Sequence, residues 1–276
     1  MIDKQRVARR FNMAASTYDQ YAQVQQGMAQ HLLNRVVERG QAPGRILEIG
    51  CGTGHLTQLL RTAFPTAEIV ALDLAEKMVA VARRRVKAQG VSFVVADAEV
   101  WSAEAKGGYD LIISNATIQW FTQPQAMLAQ WFRLLRPGGR LAASTFGPET
   151  FAELHCIYRE VEHEWRLPSQ YHGLPLPSPA RWEAWLAETG WLDANVQEEK
   201  VKVAFPSCRH FLAAVKKTGA SHSESRLPLL TECQLVKEVM ARYDREYKAE
   251  GGVMATYHVV RLEGRKPDGY PWAIEE

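Results

Sequence analysis

The apolar positions of this chain fall into two alternating patterns. Short continuous runs at 45–50, 69–73, 92–97, 110–114 and 140–146 read as buried strands. Between them, apolar residues recur three and four apart over 55–62, 76–88 and 124–135, which predicts helices. Pro137-Gly138-Gly139 stops the last of these. Strands alternating with helices at this spacing predict parallel βαβ units and a doubly wound, mostly parallel α/β sheet. Ligands of such sheets bind beyond the carboxyl ends of the strands.

After residue 147 the rhythm changes. A helix is expected over 148–166, a Pro-rich surface loop over 167–179 and a short amphipathic helix over 180–189. A strand over 196–205, helices over 207–218 and 231–249, and a β-rich segment over 253–262 complete the chain. The last is expected as an antiparallel partner at the sheet edge. The division expected is a core with N-terminal capping helices at 1–146, an inserted helical lid at 147–195, and completion of the sheet with C-terminal helices at 196–276.

Composition narrows the function. Of 276 residues, 46% are hydrophobic and 23% charged, ordinary values for a globular protein. Lys and Arg number 33 against 31 Asp and Glu, a net charge of +2, so no broad basic field points to nucleic acid. No apolar run is long enough to span a bilayer, and MIDKQRVARRF has no apolar segment of the kind a secretory signal needs. Cys51, Cys156, Cys208 and Cys233 lie far apart, which argues against structural zinc and a disulfide framework and for a reducing cytoplasm. No metal site is expected.

The strongest chemical signal is Leu47-Glu48-Ile49-Gly50-Cys51-Gly52-Thr53-Gly54-His55, a strand running through a glycine turn into a helix. Glycines allow positive φ and close ligand approach, and the helix start offers free N–H donors. His55 stands where the dinucleotide fingerprint needs glycine, and no Gly-Lys-[Ser/Thr] of a phosphate loop is present. What remains is E-x-G-x-G-x-G followed by Asp73 at the end of the second strand, placed to take two vicinal ribose hydroxyls, and by Asp97 at the end of the third.

These elements resemble the class I S-adenosylmethionine-dependent methyltransferases. The resemblance implies that Glu48, Gly50, Cys51, Gly52, Thr53 and Gly54 wrap the amino-acid part and ribose edge of S-adenosylmethionine. It implies that Asp73 binds the ribose, that Leu74 and Met78 belong to the same cofactor site, that Asp97 and Ala98 border the adenine, and that Asn115 meets the aminoacyl end. Further blocks are similar to the malonyl-acyl-carrier-protein O-methyltransferases of biotin synthesis: Val7 to Gln25, Ser114-Asn-Ala-Thr-Ile-Gln-Trp120, Phe146 to Leu154, Val215-Lys-Lys-Thr-Gly-Ala220 and Ala255-Thr-Tyr-His-Val259. The expected reaction then methylates the free carboxylate of a malonyl thioester on acyl carrier protein, with malonyl-CoA as the other conceivable carrier.

That chemistry needs little acid–base machinery. A carboxylate of pKa about 4 is ionised at pH 7, and joining an anion to a sulfonium removes charge, so a dry pocket helps. Alignment of oxygen, methyl carbon and sulfur is the main requirement; a strong salt bridge to the attacking oxygen would blunt it, whereas one moderate donor on the other oxygen suits it. Candidates at the reacting centre are Tyr18, Gln119 and Trp120. Tyr21, Phe146, His155, Lys216 and Lys217 are the candidates for substrate contact. Each has a plainer reading as helix packing, core or solvated surface. Lys4, Arg6, Arg9 and Arg10 form a basic patch suited to an acidic carrier; the run Lys77, Arg83, Arg84, Arg85 and Lys87 goes around a helix and reads mostly as a solubilising face. The favoured assembly state is a monomer. Two alternatives stand beside this: a methyltransferase of a small free acid, and a methyltransferase fold kept as a non-catalytic assembly factor.

Overall fold

The computed structural model describes residues 2–40, 42–220 and 227–269. Helices α1 (Lys4–Ala14), α2 (Tyr18–Tyr21) and α3 (Gln23–Glu38) precede the first strand. Strands β1 (Arg45–Ile49), β2 (Glu68–Asp73), β3 (Val91–Val95), β4 (Tyr109–Asn115) and β5 (Leu135–Phe146) pair in parallel in the order β3-β2-β1-β4-β5. Strands β6 (Leu192–Phe205) and β8 (Gly252–Arg265) continue the sheet, and the two-residue β7 (Lys248–Ala249) pairs with the start of β8.

Parallel strands must be covered on both faces, and they are. On one side Ile46, Ile69, Leu111 and Ile113 meet α3, α4 (His55–Ala63) and α5 (Glu76–Arg85). On the other, Leu47, Ile49, Leu72 and Ile112 meet α6 (Ala98–Glu104), α7 (Pro124–Leu134) and α9 (Pro179–Thr189), where Trp131 and Trp182 are fully buried.

The closing strand departs from the expectation of an edge. β8 lies between β5 and β6, antiparallel to both, and β6 is the edge. The exposed Glu199, Lys200 and Lys202 of β6 suit that position, since charged side chains deter edge-to-edge pairing. β8 pairs with β5 only as far as Phe146↔Val259, whereas it pairs with β6 back to Val253↔Phe205. The β6/β8 ribbon therefore projects beyond the carboxyl rim of the parallel strands. Helices α8 (Ala152–Glu164), α10 (Cys208–Lys217) and α11 (Leu229–Glu246) pack on this overhang through Leu154, Ile157, Phe211, Val239 and Tyr243. The Tyr243 hydroxyl donates to the Met254 carbonyl at 2.7 Å.

Other boundaries shift for local reasons. The helix expected from 148 starts at Ala152, because Gly147 N–H and Phe151 N–H donate to His258 and Thr256 of β8 and hold the intervening residues in a turn. Pro137-Gly138-Gly139 does not precede β5 but lies inside it; Gly138 takes φ +75° and donates to the Lys266 carbonyl. Helix α6 was not anticipated; Asp97 caps it by accepting from Glu99 N–H at 3.0 Å. Of the segment 147–195, α8 and the Pro-rich loop stand over the rim, while α9 packs on the sheet face. No helix among the described residues is long and apolar enough to cross a membrane.

Candidate active site

The glycine loop follows β1 at the carboxyl rim. Gly50 and Cys51 N–H both donate to the Leu72 carbonyl, so the loop stays docked on β2. Gly50, Gly52 and Gly54 all take positive φ, the left-handed region that favours glycine. Their surroundings differ. A Cβ on Gly50 would lie 2.0 Å from Thr117 Oγ1 and one on Gly54 2.9 Å from Ala82, while one on Gly52 would meet nothing within 4 Å. The loop thus packs at both ends and opens a bare backbone at its middle, onto a cavity lined by Gly50, Gly52, Asp73, Leu74, Asp97 and Ala98.

Asp73 sits at the end of β2 with one oxygen accepting from Gly52 N–H at 2.9 Å and the other from Ala75 N–H at 2.8 Å. Burial raises its pKa, and these backbone donors oppose the rise. Two N–H bonds leave carboxylate lone pairs over for hydroxyl donors. With the apolar Leu74, Met78, Ala96 and Phe121 around it, the cavity has the parts a nucleoside needs: a hydroxyl acceptor, a bare backbone and a flat apolar slot. The residues present fit S-adenosylmethionine. Beneath the loop, Glu48 is fully buried; burial pushes its carboxyl up to about 8, with Thr57 opposing and the nearby Asp73 adding to the shift.

The N-terminal helices close this cavity from above. Lys4 bridges Asp97 at 3.0 Å and Glu99 at 2.6 Å, and Asn12 accepts from Lys77 N–H at the start of α5. At the other end Asp19 accepts from the Thr53 hydroxyl at 2.6 Å and pairs with Arg85. Tyr18 faces the cavity; burial, then the carboxylates Asp73 and Asp19, raise its pKa, so its hydroxyl stays protonated at neutral pH. Phe11 meets Trp120 edge-on with centroids 5.6 Å apart.

A second, larger cavity of about 350 Å³ lies under the β6/β8 overhang and shares Trp120 with the first. Phe146, Phe151, Leu154, Phe211 and Tyr257 give it an apolar wall. Among the described residues its charged or titratable lining is Arg10, Lys216, His155, His172 and the phenols of Tyr158, Tyr171 and Tyr257, with no carboxylate. Burial, then His172 and Arg159, lower the His155 pKa.

The expected site residues separate accordingly. Tyr18, Gly50, Gly52, Asp73, Leu74, Met78, Asp97, Ala98, Asn115 and Trp120 line the first cavity. Glu48, Cys51, Thr53 and Gly54 support the loop without lining it. Gln119, Phe146, His155 and Lys216 line the second cavity. Tyr21 is exposed and lines neither; Lys217 lines neither and offers its carbonyl to Thr17 at 3.4 Å. Two amides expected near the chemistry are engaged in structure. Gln119 donates to the Ala116 carbonyl at 2.8 Å and accepts from Thr145 at 3.0 Å. Asn115 donates to the Gln25 carbonyl and accepts from Ser144 at 2.6 Å. Sequence reasoning missed Phe11 and Thr117 in the first cavity and Gln25, His172 and Tyr257 in the second. It reads Lys4 and Arg10 only as parts of a surface patch, whereas Lys4 lines the first cavity and Arg10 the second.

A methyltransferase-domain model matches residues 46–139, from β1 through the start of β5. The chain is 41% identical over 265 residues to a malonyl-[acyl-carrier protein] O-methyltransferase of Paenibacillus, covering 92% of this chain and 96% of that one. It is 37% identical to the enzyme of the same name from Brevibacillus brevis, covering 94% and 95%. The chain belongs to the malonyl-[acyl-carrier protein] O-methyltransferase family. Among solved structures, the YcgJ protein of Bacillus subtilis superposes with a TM-score of 0.59 at 18% identity, covering 87% of this chain and all of that one. The plantazolicin methyltransferase BpumL, solved with S-adenosylhomocysteine, gives 0.50 at 15% identity and 95% of each chain. At such identities the likeness is one of fold. In this member of the malonyl-[acyl-carrier protein] O-methyltransferase family, the relatives extend over the α8–α11 and overhang region as well as the cofactor half.

Proposed function

We propose that this protein methylates the free carboxylate of a malonyl thioester carried on acyl carrier protein. The observation that carries the reading is the meeting of two cavities at Trp120: one built for a nucleoside, the other apolar, cationic at Arg10 and Lys216, and with no carboxylate among its described lining residues. The names of its relatives point the same way.

S-adenosylmethionine held in the first cavity would supply a methyl group from its sulfonium, an acceptor oxygen forming the O–C bond as the S–C bond breaks and the neutral thioether leaves. Asp73 would take the ribose hydroxyls, Gly52 would let the backbone approach, and Asp97 with Ala98 would flank the base. Trp120 stands at the junction and Tyr18 lines the first cavity; together they exclude water, which favours a step in which opposite charges are lost. A malonyl carboxylate arrives ionised, so none of these groups has to remove a proton. The segment 147–195 contributes the cover of the acceptor cavity through α8 and the loop that follows it. The four thiols are free in the structure and suit a reducing cytoplasm, where we place the activity.

Intact-mass analysis of malonyl-acyl carrier protein incubated with the protein and S-adenosylmethionine tests the reading. A gain of one methyl on the malonyl form, with none on acetyl-acyl carrier protein, is expected. No gain on malonyl, with cofactor binding intact by calorimetry, would overturn it and turn attention to small free acids.

A further inference from the structure

Behind the wall of the acceptor cavity, the lining residue His172 is paired with a carboxylate that does not itself line the cavity, Glu162, and the reaction has no use for this pair. Glu162 of α8 is 1% exposed, and both its oxygens are occupied: Oε1 with His172 Nε2 at 2.6 Å, Oε2 accepting from Gln170 N–H at 3.2 Å. Its own carbonyl accepts from Leu167 N–H at 2.8 Å. One buried residue therefore seats the start of the Pro-rich loop. His172 lies flat on Tyr158, centroids 3.7 Å apart, and one turn away His155 stacks on Tyr171 at 6.1 Å. All four rings line the cavity.

A buried carboxylate without a donor is costly, and a carboxylate can only accept. In the neutral imidazole, Glu162 therefore selects the tautomer of His172 that carries its proton on Nε2, as a second group on one ring nitrogen fixes the other. Nδ1 makes no hydrogen bond to the described residues, and in this tautomer it is a lone-pair acceptor. The malonyl group has only acceptor oxygens, so it cannot satisfy Nδ1. The amide-bearing thiol arm through which a carrier holds its thioester has N–H donors that can.

We infer that His172, oriented by Glu162, accepts a hydrogen bond from an amide N–H of the carrier's thiol arm and so selects arm-borne thioesters over free acids. The inference rests on the proposed function. It assigns Glu162 as a positioning residue, and it treats malonyl-CoA, which carries the same arm, like the carrier protein.

The test measures KM with three substrates: malonyl-acyl carrier protein, malonyl-N-acetylcysteamine, which keeps one amide, and malonyl ethyl thioester, which has none. Wild-type turnover of malonyl-acyl carrier protein is the control for the reaction itself; its absence would remove the proposed function, not this assignment alone. His172→Phe keeps the stack on Tyr158 and is expected to raise KM about tenfold for the two amide-bearing substrates, with that for the ethyl thioester unchanged. His172→Asn, which restores an acceptor near Nδ1, should recover part of the loss. Glu162→Gln, free to donate to Nε2 and so reverse the tautomer, should behave like His172→Phe. A KM increase equal on all three substrates would show a merely structural role and overturn the inference, as would unchanged KM values in His172→Phe.

Discussion

Asp19 and Arg85 are ion-paired across the glycine loop, joining a helix of four residues near the N-terminus to the last turn of α5. Thr53 lies between them, its hydroxyl donating to Asp19 at 2.6 Å and its carbonyl accepting from Arg85 at 3.1 Å. The glycine loop that lines the first cavity is thereby clamped to the helices that cover it. Charge-assisted bonds of this kind contribute about 1.5–3 kcal/mol when partly buried. Arg85→Met is expected to weaken S-adenosylmethionine binding about tenfold by calorimetry. Asp19→Asn combined with Arg85→Met should cost no more than the worse single change, the mark of one shared interaction. Additive losses would show that the two residues act separately.

The three glycines of the loop should not respond alike to alanine. At Gly50 a methyl would overlap Thr117, so Gly50→Ala is expected to destabilise the fold by about 3 kcal/mol or more, seen as a lower midpoint in urea. At Gly52 the methyl has room, and only the φ of +53° resists it, a cost of about 1 kcal/mol. Gly52→Ala should instead occupy the space where the cofactor approaches, giving a folded protein with at least tenfold weaker cofactor binding. A Gly52→Ala protein of unchanged affinity would remove the loop's middle from the binding surface.

The difference between these glycines could not be read from the motif, which shows only three glycines at fixed spacing. What the sequence does carry is the parallel sheet, because strands buried on both faces become continuous apolar runs that no surface helix imitates. Asp73 and Asn115 are readable for the same reason: each ends such a run at the ligand rim. The acceptor cavity was not readable. It depends on the distance β8 runs past Phe146, and both long strands look the same in sequence whether they end at the rim or overhang it. His172 and Glu162 meet only because the Pro-rich loop folds back on α8, a contact that no periodicity encodes.

Glu48 ties stability to pH. Its carboxyl titrates at about 8 in the folded protein, against 4.5 for the unperturbed group. The native state therefore holds a proton that the unfolded chain releases. Stability from this group is fully present below about pH 4.5 and is lost as pH rises through 8. Glu48→Gln keeps the shape and removes the titration. The wild-type protein should lose on the order of a few kcal/mol relative to Glu48→Gln between pH 5 and pH 9. Denaturant midpoints of the two proteins measured across that range should diverge; parallel curves would mean that the buried carboxyl is already ionised near pH 5.

The acidic partner assigned to this protein should be sensitive to the charge on α1. Arg6 and Arg9 are exposed, while Arg10, next along the helix, lines the acceptor cavity. A partner docked over that mouth would meet Arg9 without Arg9 touching either cavity. Rim charges act chiefly on association and its salt dependence. Arg9→Glu is expected to raise KM for malonyl-acyl carrier protein about fivefold at low salt, an effect that shrinks at 0.5 M NaCl as screening shortens to a few ångströms. Cofactor affinity, and KM for the small malonyl-N-acetylcysteamine, should not move, because neither brings an acidic protein surface. An equal rise for both acceptors would instead place the effect of Arg9 inside the cavity, through α1 and Arg10, and leave the carrier to dock elsewhere on the molecule.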